Sequence, residues 1–385
     1  MPNKVKKRQL LDFGILIPFL ILSVVGLMMV YSTTSYVMLS AGLNFANQAI
    51  KQLLFWILSV IVMTIIYKMK TDLLRSKKLT QFAMVVIFFM LLSVFAFPKV
   101  NDAYGWIEIP SIGTIQPVEF FKIVTIWFLS ATLANRQSLI QENFWTSVRG
   151  LLVVLAVEVA IVVSYPDYGN AAIIVLLVMV VLMASGVNYL LTLVAGGTAL
   201  VASVVTIPLV NSVGKLFLPS HVVSRFAMFR NPFLDEYGAG HQLIQGYYAM
   251  FNGGFFGRGL GNSIQKKGFL KFAETDFAFA IVIEELGLIV AILILGLLFY
   301  MIARILLIGI RSSDPFNSMM CIGIGSLFLI SVFINLGGIT GVIPLTGITF
   351  PFISQGGSSL LMFSISIGFV LNISADEKKM AYQLS

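Results

Sequence analysis

Ten stretches of this chain are long and apolar enough to cross a bilayer, or nearly so, and they leave little of its 385 residues for anything else. They lie near 13–33, 51–67, 79–97, 117–134, 149–165, 169–185, 188–209, 276–302, 317–337 and 355–373. A hydrocarbon core about 30 Å thick takes roughly 20 helical residues to span. Within it, each backbone N–H and C=O must be paired inside the segment, so runs of this kind become helices. The expected fold is all-α, a single polytopic membrane domain over residues 1–385 with about ten transmembrane helices. Charged residues make up 11% of the chain, against roughly 25% in a soluble domain. The first run, Phe13 to Tyr31, is too long for a signal-peptide core, and no small-x-small cleavage site follows it. It reads as a retained helix. No internal repeat supports an inverted-repeat transporter.

Lysine and arginine orient the chain. Lys4, Lys6, Lys7 and Arg8 precede the first segment, and Lys68, Lys70, Arg75, Lys77 and Lys78 join the second to the third. With ten helices these fall on one side, together with Arg136, Arg149, Arg304, Arg311, Lys378 and Lys379. The positive-inside rule makes that side cytoplasmic, with both termini on it. The connections 98–116, 210–275 and 338–354 then face outward, and 210–275, between the seventh and eighth segments, is the one large extracellular loop.

A net charge of +8 points to anionic lipid or an anionic substrate rather than nucleic acid, because no large soluble surface exists to bind one. A single cysteine, Cys321, excludes an internal disulfide, and two histidines are too few for a His-rich metal site. The outer loop holds Lys215, Arg225, Arg230, Arg258, Lys266, Lys267 and Lys271 against Asp235, Glu236 and Glu274. Contact with lipid headgroups would explain this charge, and so would a phosphorylated substrate, whose oxygens arginine and lysine commonly bind. On the second reading Arg225, Arg230 and Lys267 contact substrate. The loop also carries glycines alternating with aromatics over Phe251–Asn262, a segment expected to lie on the membrane surface or fold back over a cavity.

Acids inside apolar segments are costly and seldom kept without use. Asp276 stands at the mouth of the eighth segment, where it is either a helix N-cap or a site of chemistry. Glu119 and Lys122, three apart, share a helix face and form either an internal ion pair or the border of a polar cavity. Glu158 sits within the fifth segment and Glu284-Glu285 within the eighth. Acids on three segments suggest one shared space. Adjacent helical residues point about 100° apart, so at most one of Glu284 and Glu285 can face it squarely. Trp106 in the first outer loop reads on position as an interface anchor. In the ninth-to-tenth connection, N–H groups around Gly356 and Gly357 at a helix start would receive an anion, or the glycines serve tight helix packing.

Taken in order, several motifs resemble one family. They are Asn231-Pro232-Phe233, Gln242-Leu243-Ile244-Gln245-Gly246, Gly253-Gly254-Phe255-Phe256-Gly257-Arg258-Gly259-Leu260-Gly261, Glu274-Thr275-Asp276-Phe277-Ala278-Phe279-Ala280, Glu284-Glu285-Leu286-Gly287 and Pro351-Phe352-Ile353-Ser354-Gln355-Gly356-Gly357-Ser358-Ser359. Over nearly its whole length the chain resembles the SEDS family (shape, elongation, division and sporulation), whose members include FtsW and RodA. Gly259–Lys266 looks more like the FtsW branch. The resemblance implies a peptidoglycan glycosyltransferase that polymerises lipid II at the outer face of the cytoplasmic membrane. Asp276 matches the family's essential acid, Trp106 a tryptophan of the first outer motif, and Glu119 with Lys122 its Pro-x-Glu-Phe-x-Lys motif. Gln245, Glu284, Ser354, Gly356, Gly357 and Ser358 fall in matching motifs and are expected to face substrate. Two departures stand out. Glu274 occupies a position that is often His, and Tyr104-Gly105 stand where a basic residue often precedes the tryptophan. Glu274 should raise the pKa of Asp276 if the two are close.

The implied reaction inverts an α-linked donor to a β-linked product by direct displacement, with Asp276 as base. Lys122 and the loop cations would steady the departing pyrophosphate. No cofactor is certain; a divalent cation, Mg or Mn, would share that charge, but no metal site is assembled in the sequence. The implied partners are a class B penicillin-binding protein, which supplies the crosslinking this chain lacks, and other proteins of the division septum. A RodA-type elongation polymerase, a lipid II flippase without chemistry, and an envelope scaffold are the alternatives.

Overall fold

The computed structural model describes residues 7–99, 104–109, 113–187, a few positions between 190 and 198, 220–229 and 231–384. Helices stand where apolar runs predict them: α1 (Phe13–Ser40), α2 (Asn47–Lys68), α3 (Lys77–Ser93), α4 (Pro117–Leu133), α5 (Phe144–Ser164) and α6 (Tyr168–Ala184). Two shorter helices follow, α7 (Ser220–Met228) and α8 (His241–Gly253), then the long α9 (Ala278–Arg311), α10 (Pro315–Ile339) and α11 (Gly357–Leu384). Among the described residues seven helices, α1, α2, α3, α5, α9, α10 and α11, are long and apolar enough to cross a membrane. α4 and α6, at 17 residues each, are shorter. The expected segment 188–209 lies for the most part outside the described residues.

Local chemistry sets the helix starts. Asp12, Asp167 and Asp314 cap α1, α6 and α10 by accepting from Gly14, Asn170 and Asn317 backbone N–H groups. Pro117 and Pro315 occupy the first turns of α4 and α10, where a missing N–H costs nothing.

α11 is the central helix. Of its apolar stretch 89% is buried, against 17% for α2, which runs beside it. α9 packs on α10, α1 and α8, and α4 packs on α3, α6 and α10. Phe328 of α10 stacks with Phe352 at 5.5 Å and with Phe363 of α11 at 4.9 Å, while Phe19 of α1 meets Phe352 edge-on. Gly26 lets α1 approach this hub, since a Cβ there would lie 1.9 Å from the Phe352 carbonyl oxygen. Between α3 and α4, β1 (Ile107–Ile109) pairs antiparallel with β2 (Gly113–Ile115), with Ile107 opposite Ile115.

Three of the cations expected on one side, Arg75, Arg304 and Lys378, form ion pairs that gather around Asp12 and the α9–α10 and α11 ends. Arg75 lies 3.3 Å from both Asp314 and Asp376, Arg304 pairs with Asp12 at 2.7 Å, and Lys378 reaches Asp12 at 3.1 Å.

Candidate functional site: a loop threaded into a broken helix

The site is organised by a break in α9. Gly287 adopts φ +83° and ψ 165°, a conformation open essentially to glycine alone. The N–H groups of Leu288 and Ile289 therefore lose the Glu284 and Glu285 carbonyls. They donate instead to Gly254 O at 2.9 Å and Phe255 O at 3.3 Å. The freed Glu284 and Glu285 carbonyls accept from Arg258 and Gly259 N–H groups, both at 2.9 Å. The two helical bonds lost to the break free two donors and two acceptors, and four bonds to the loop satisfy them, as buried backbone requires. The glycines of the Gly253–Gly261 run make this approach possible. A Cβ would fall 2.1 Å from Ile283 O at Gly253, 2.3 Å from Glu285 O at Gly257 and 2.4 Å from Phe255 O at Gly287.

Both carboxylates below the break grip the same loop. Glu285 accepts from Ser32 Oγ and Lys266 Nζ, each at 2.7 Å, and from Gly261 N at 3.0 Å and Ser263 N at 3.4 Å. Glu284 accepts from Ser263 Oγ, from Ile264 N at 3.0 Å and from Gln265 N at 3.4 Å. The two side chains diverge, as helical neighbours must, but the loop wraps past both. Their acceptor capacity is spent on holding residues 261–266.

Beyond this clamp the chain reaches Glu274-Thr275-Asp276, all half-buried. Two bonds from the α10–α11 connection and one from the last turns of α10 brace it. Gln355 N donates to Glu274 O at 2.8 Å, Ser354 Oγ to Thr275 O at 2.6 Å, and Asn335 Nδ2 to Asp276 O at 2.8 Å. Asn335 also ties Ile348 O at 2.7 Å. Asp276 is not the N-cap of α9; Phe277 holds that position, without a side-chain cap bond. Burial pushes the Asp276 carboxyl up to about 6, the Arg225 guanidinium opposes the rise, and the Glu274 carboxylate adds to it. Burial also raises the pKa of Glu274 itself.

A second polar cluster lies inside α4 and α6. Lys122 donates to Glu119 Oε1 at 2.7 Å and to Asn170 Oδ1 at 3.1 Å, with both charged side chains buried. Glu119 Oε2 is buried without a partner among the described residues. Asn170 Nδ2 continues to Asp167 at 2.8 Å, and Gln116 Nε2 reaches the same carboxylate at 3.4 Å. The start of α11 joins this cluster to the first. Ser358 Oγ accepts from Gln116 N at 3.0 Å and donates to Thr114 O at 3.4 Å, a few residues after Ser354 and Gln355 hold Thr275 and Glu274.

The family model for FtsW, RodA and SpoVE, described as a cell cycle protein, matches residues 13–379. The chain is 42% identical to a probable peptidoglycan glycosyltransferase FtsW of Lactococcus lactis, over 97% of this chain and 94% of that one. Against the Bacillus subtilis protein of the same description the identity is 33%, covering 94% and 90%, and against B. subtilis stage V sporulation protein E it is 35%, covering 94% and 96%. The chain belongs to the FtsW/RodA/SpoVE family. Its fold matches that of Thermus thermophilus RodA with a TM-score of 0.66 at 19% identity over 97% and 99% of the two chains. It also matches a chain of a peptidoglycan synthase complex that coordinates polymerization and crosslinking, with a TM-score of 0.74 at 20% identity over 95% and 98%.

In this FtsW/RodA/SpoVE chain the sequence-derived residues fall into two groups. Arg225 and Glu274 both act electrostatically on Asp276, and Arg225 and Lys267 are exposed. Trp106, beside β1, and Gln245, bonded to the His241 ring at 3.2 Å, are half-buried. The other group makes internal bonds. Glu284 holds the loop, Ser354 joins Phe350 N to Thr275 O, Gly356 N donates to Gln52 Oε1 at 3.3 Å, and Gly357 abuts the Phe55 ring. Arg230 lies outside the described residues. The buried acids of the three segments do not share partners: Glu158 Oε2 on α5 has none among the described residues, Glu119 serves the Lys122 network, and Glu284 with Glu285 serves the loop. Sequence reading missed Asn170, Asn335, Ser32, Ser263 and Lys266 as organising residues. Asn170 and Asn335 do carry a signal, as amides within apolar segments. Among the described residues no three His, Cys, Asp or Glu side chains gather as metal ligands.

Proposed function

We propose that this chain is a peptidoglycan glycosyltransferase of cell division that polymerises lipid II at the outer face of the cytoplasmic membrane. One observation carries the mechanism. Asp276 is a half-buried carboxyl with a pKa of about 6, held by its backbone, with a cation in range and no helix to cap. Such a group is a base suited to neutral pH. It would take the proton from the acceptor sugar hydroxyl as that oxygen attacks the donor's anomeric carbon and the pyrophosphate leaves with inversion. Arg225 and Lys267, exposed on the loop side, would take up the charge of the leaving group. Lys122, neutralised by Glu119, would serve at the second cluster, where Glu119 Oε2 has no donor among the described residues. Both termini would face the cytoplasm.

The similarity to FtsW proteins at 42% and 33% identity favours septal over lateral-wall synthesis. A class B penicillin-binding protein would crosslink the product, and contact with it would order the loop around Asp276. The test is polymerisation of labelled lipid II by purified protein, alone and with that partner. Wild type should make glycan strands and Asp276→Asn none. Transbilayer movement of lipid II without polymer, equal in both proteins, would establish the flippase reading instead.

A further inference from the structure

The broken helix α9 ends far from Asp276, on the face where Asp12 meets Ser374 and Lys378. There a cavity of about 250 Å³ opens between Asp12, Arg304, Leu307, Ile308, Arg311, Ser374, Glu377 and Lys378. The proposed polymerisation makes no use of it.

The donor balance of this cavity decides what it can hold. Three cationic side chains line it against two carboxylates. Asp12 is spent: it accepts from Arg304 Nε at 2.7 Å and Nη2 at 3.0 Å, from Ser374 Oγ at 2.9 Å, from Lys378 Nζ at 3.1 Å and from Gly14 N at 3.1 Å. Burial opposes its charge, but the hydrogen bonds from Arg304, Lys378 and Ser374 outweigh that and hold the Asp12 carboxyl below its ordinary pKa. It is a fixed anion that positions two cations. Glu377 Oε1 is likewise taken by Ser312 and by Asn317 Nδ2. The cations keep donors in reserve. The Arg304 and Lys378 side chains remain 40% and 35% exposed, and Arg311 is exposed with no ion pair among the described residues. The site is built to receive an anion.

Its surroundings say which kind. Asp12 immediately precedes the span α1, and Arg304 to Arg311 close the span α9, so the cavity stands at the membrane interface. Leu307 and Ile310 beside it are 46% and 68% exposed, on a surface that meets acyl chains. An anionic head with an apolar body satisfies both halves, whereas a free phosphate satisfies one. Basic pockets between transmembrane helices hold acidic head groups by the same physics.

We propose that this cavity is a binding site for the phosphodiester head group of an acidic glycerophospholipid, with its acyl chains along the Leu307–Ile310 face of α9. By the orientation above, that lipid belongs to the inner leaflet.

The test uses the full chain in detergent, with retained lipid counted by native mass spectrometry during titration with dioleoylphosphatidylglycerol or dioleoylphosphatidylcholine. Wild type should retain one copy of the acidic lipid preferentially. Arg311→Gln should weaken it roughly fivefold, and Arg311→Gln with Lys378→Gln about twentyfold, from the usual contribution of one interfacial charge. The single variant alters an exposed, unpaired side chain, so it remains informative if the double variant misfolds. Lys77→Gln with Lys78→Gln should leave the bound copy in place. Equal retention by wild type and Arg311→Gln would overturn the proposal, as would an equal loss in the Lys77/Lys78 variant. Displacement of the lipid by millimolar inorganic phosphate would overturn the lipid assignment in favour of a free-anion site.

Discussion

The ammonium of Lys266 lies 2.7 Å from the Glu285 carboxylate, both side chains are almost wholly buried, and Ser32 of α1 bonds to each at 2.7 Å. A loop lysine is thereby locked beneath the break in α9. Lys266→Met should leave Glu285 buried and unpaired, at a cost of about 3–5 kcal/mol. Glu285→Gln with Lys266→Met should recover part of that loss. Thermal unfolding of the purified variants checks this; an unshifted melting temperature for Lys266→Met would rule the clamp out.

The glycines of the break should differ sharply from the other loop glycines. At Gly287 an alanine Cβ would strike the Phe255 carbonyl oxygen at 2.4 Å, so Gly287→Ala should displace the loop and abolish activity. Gly254 also has positive φ, but nothing lies within 4 Å of its Cβ position. With φ 52° and ψ −147°, Gly254→Ala should carry the backbone cost of a sparsely populated conformation, about 1–3 kcal/mol, with no clash added. Limited proteolysis of the loop would separate the two, with rapid cleavage expected for Gly287→Ala alone.

Polymerisation should rise with pH through about 6, where Asp276 loses its proton. Stability runs the opposite way for this group. Its folded pKa lies above the unfolded value of 3.8, so the native state binds the proton more tightly, and this contribution to stability is lost as pH climbs from 3.8 to about 6. Asp276→Asn should accordingly be inactive at every pH without melting lower at pH 7. Pre-steady-state rates across that range, compared with melting curves, test both signs; full activity of the variant would remove Asp276 from the reaction.

Lys122→Met should be more harmful than Glu119→Gln. The methionine leaves Glu119 charged and buried with one oxygen already unpartnered, at a cost of about 3–5 kcal/mol, whereas glutamine keeps an acceptor for Lys122. If Lys122 also meets pyrophosphate, surviving Lys122→Met protein should turn over slowly. Equal destabilisation of the two variants, with turnover per folded molecule unchanged, would make the pair purely structural.

Arg225→Gln with Lys267→Gln should raise the lipid II concentration needed for half-maximal rate while leaving the melting temperature close to wild type, because both side chains are exposed. An unchanged concentration dependence would place the leaving-group contacts elsewhere.

Helix positions were legible because bilayer thickness and backbone pairing leave a long apolar run little freedom, and α1 to α6 and α9 to α11 stand on the runs that predict them. Family membership was legible in the ordered motifs, and so was the influence of Glu274 on Asp276, which follows from two carboxyls set two residues apart. The roles of Glu284, Ser354 and Gly356 were not. In the sequence they read as polar groups near a cavity. In the fold their atoms are bonded to Ile264, Thr275 and Gln52, because a partner separated by 20, 79 or 304 positions leaves no trace in local spacing. Nor does local pattern reveal that Gly287 interrupts α9, since a lone glycine is tolerated within many helices. The sequence determined what had to be helix and which acids had to be buried. Which of those acids hold the chain in place is set by the tertiary packing, because that depends on which donors it brings within hydrogen-bond reach.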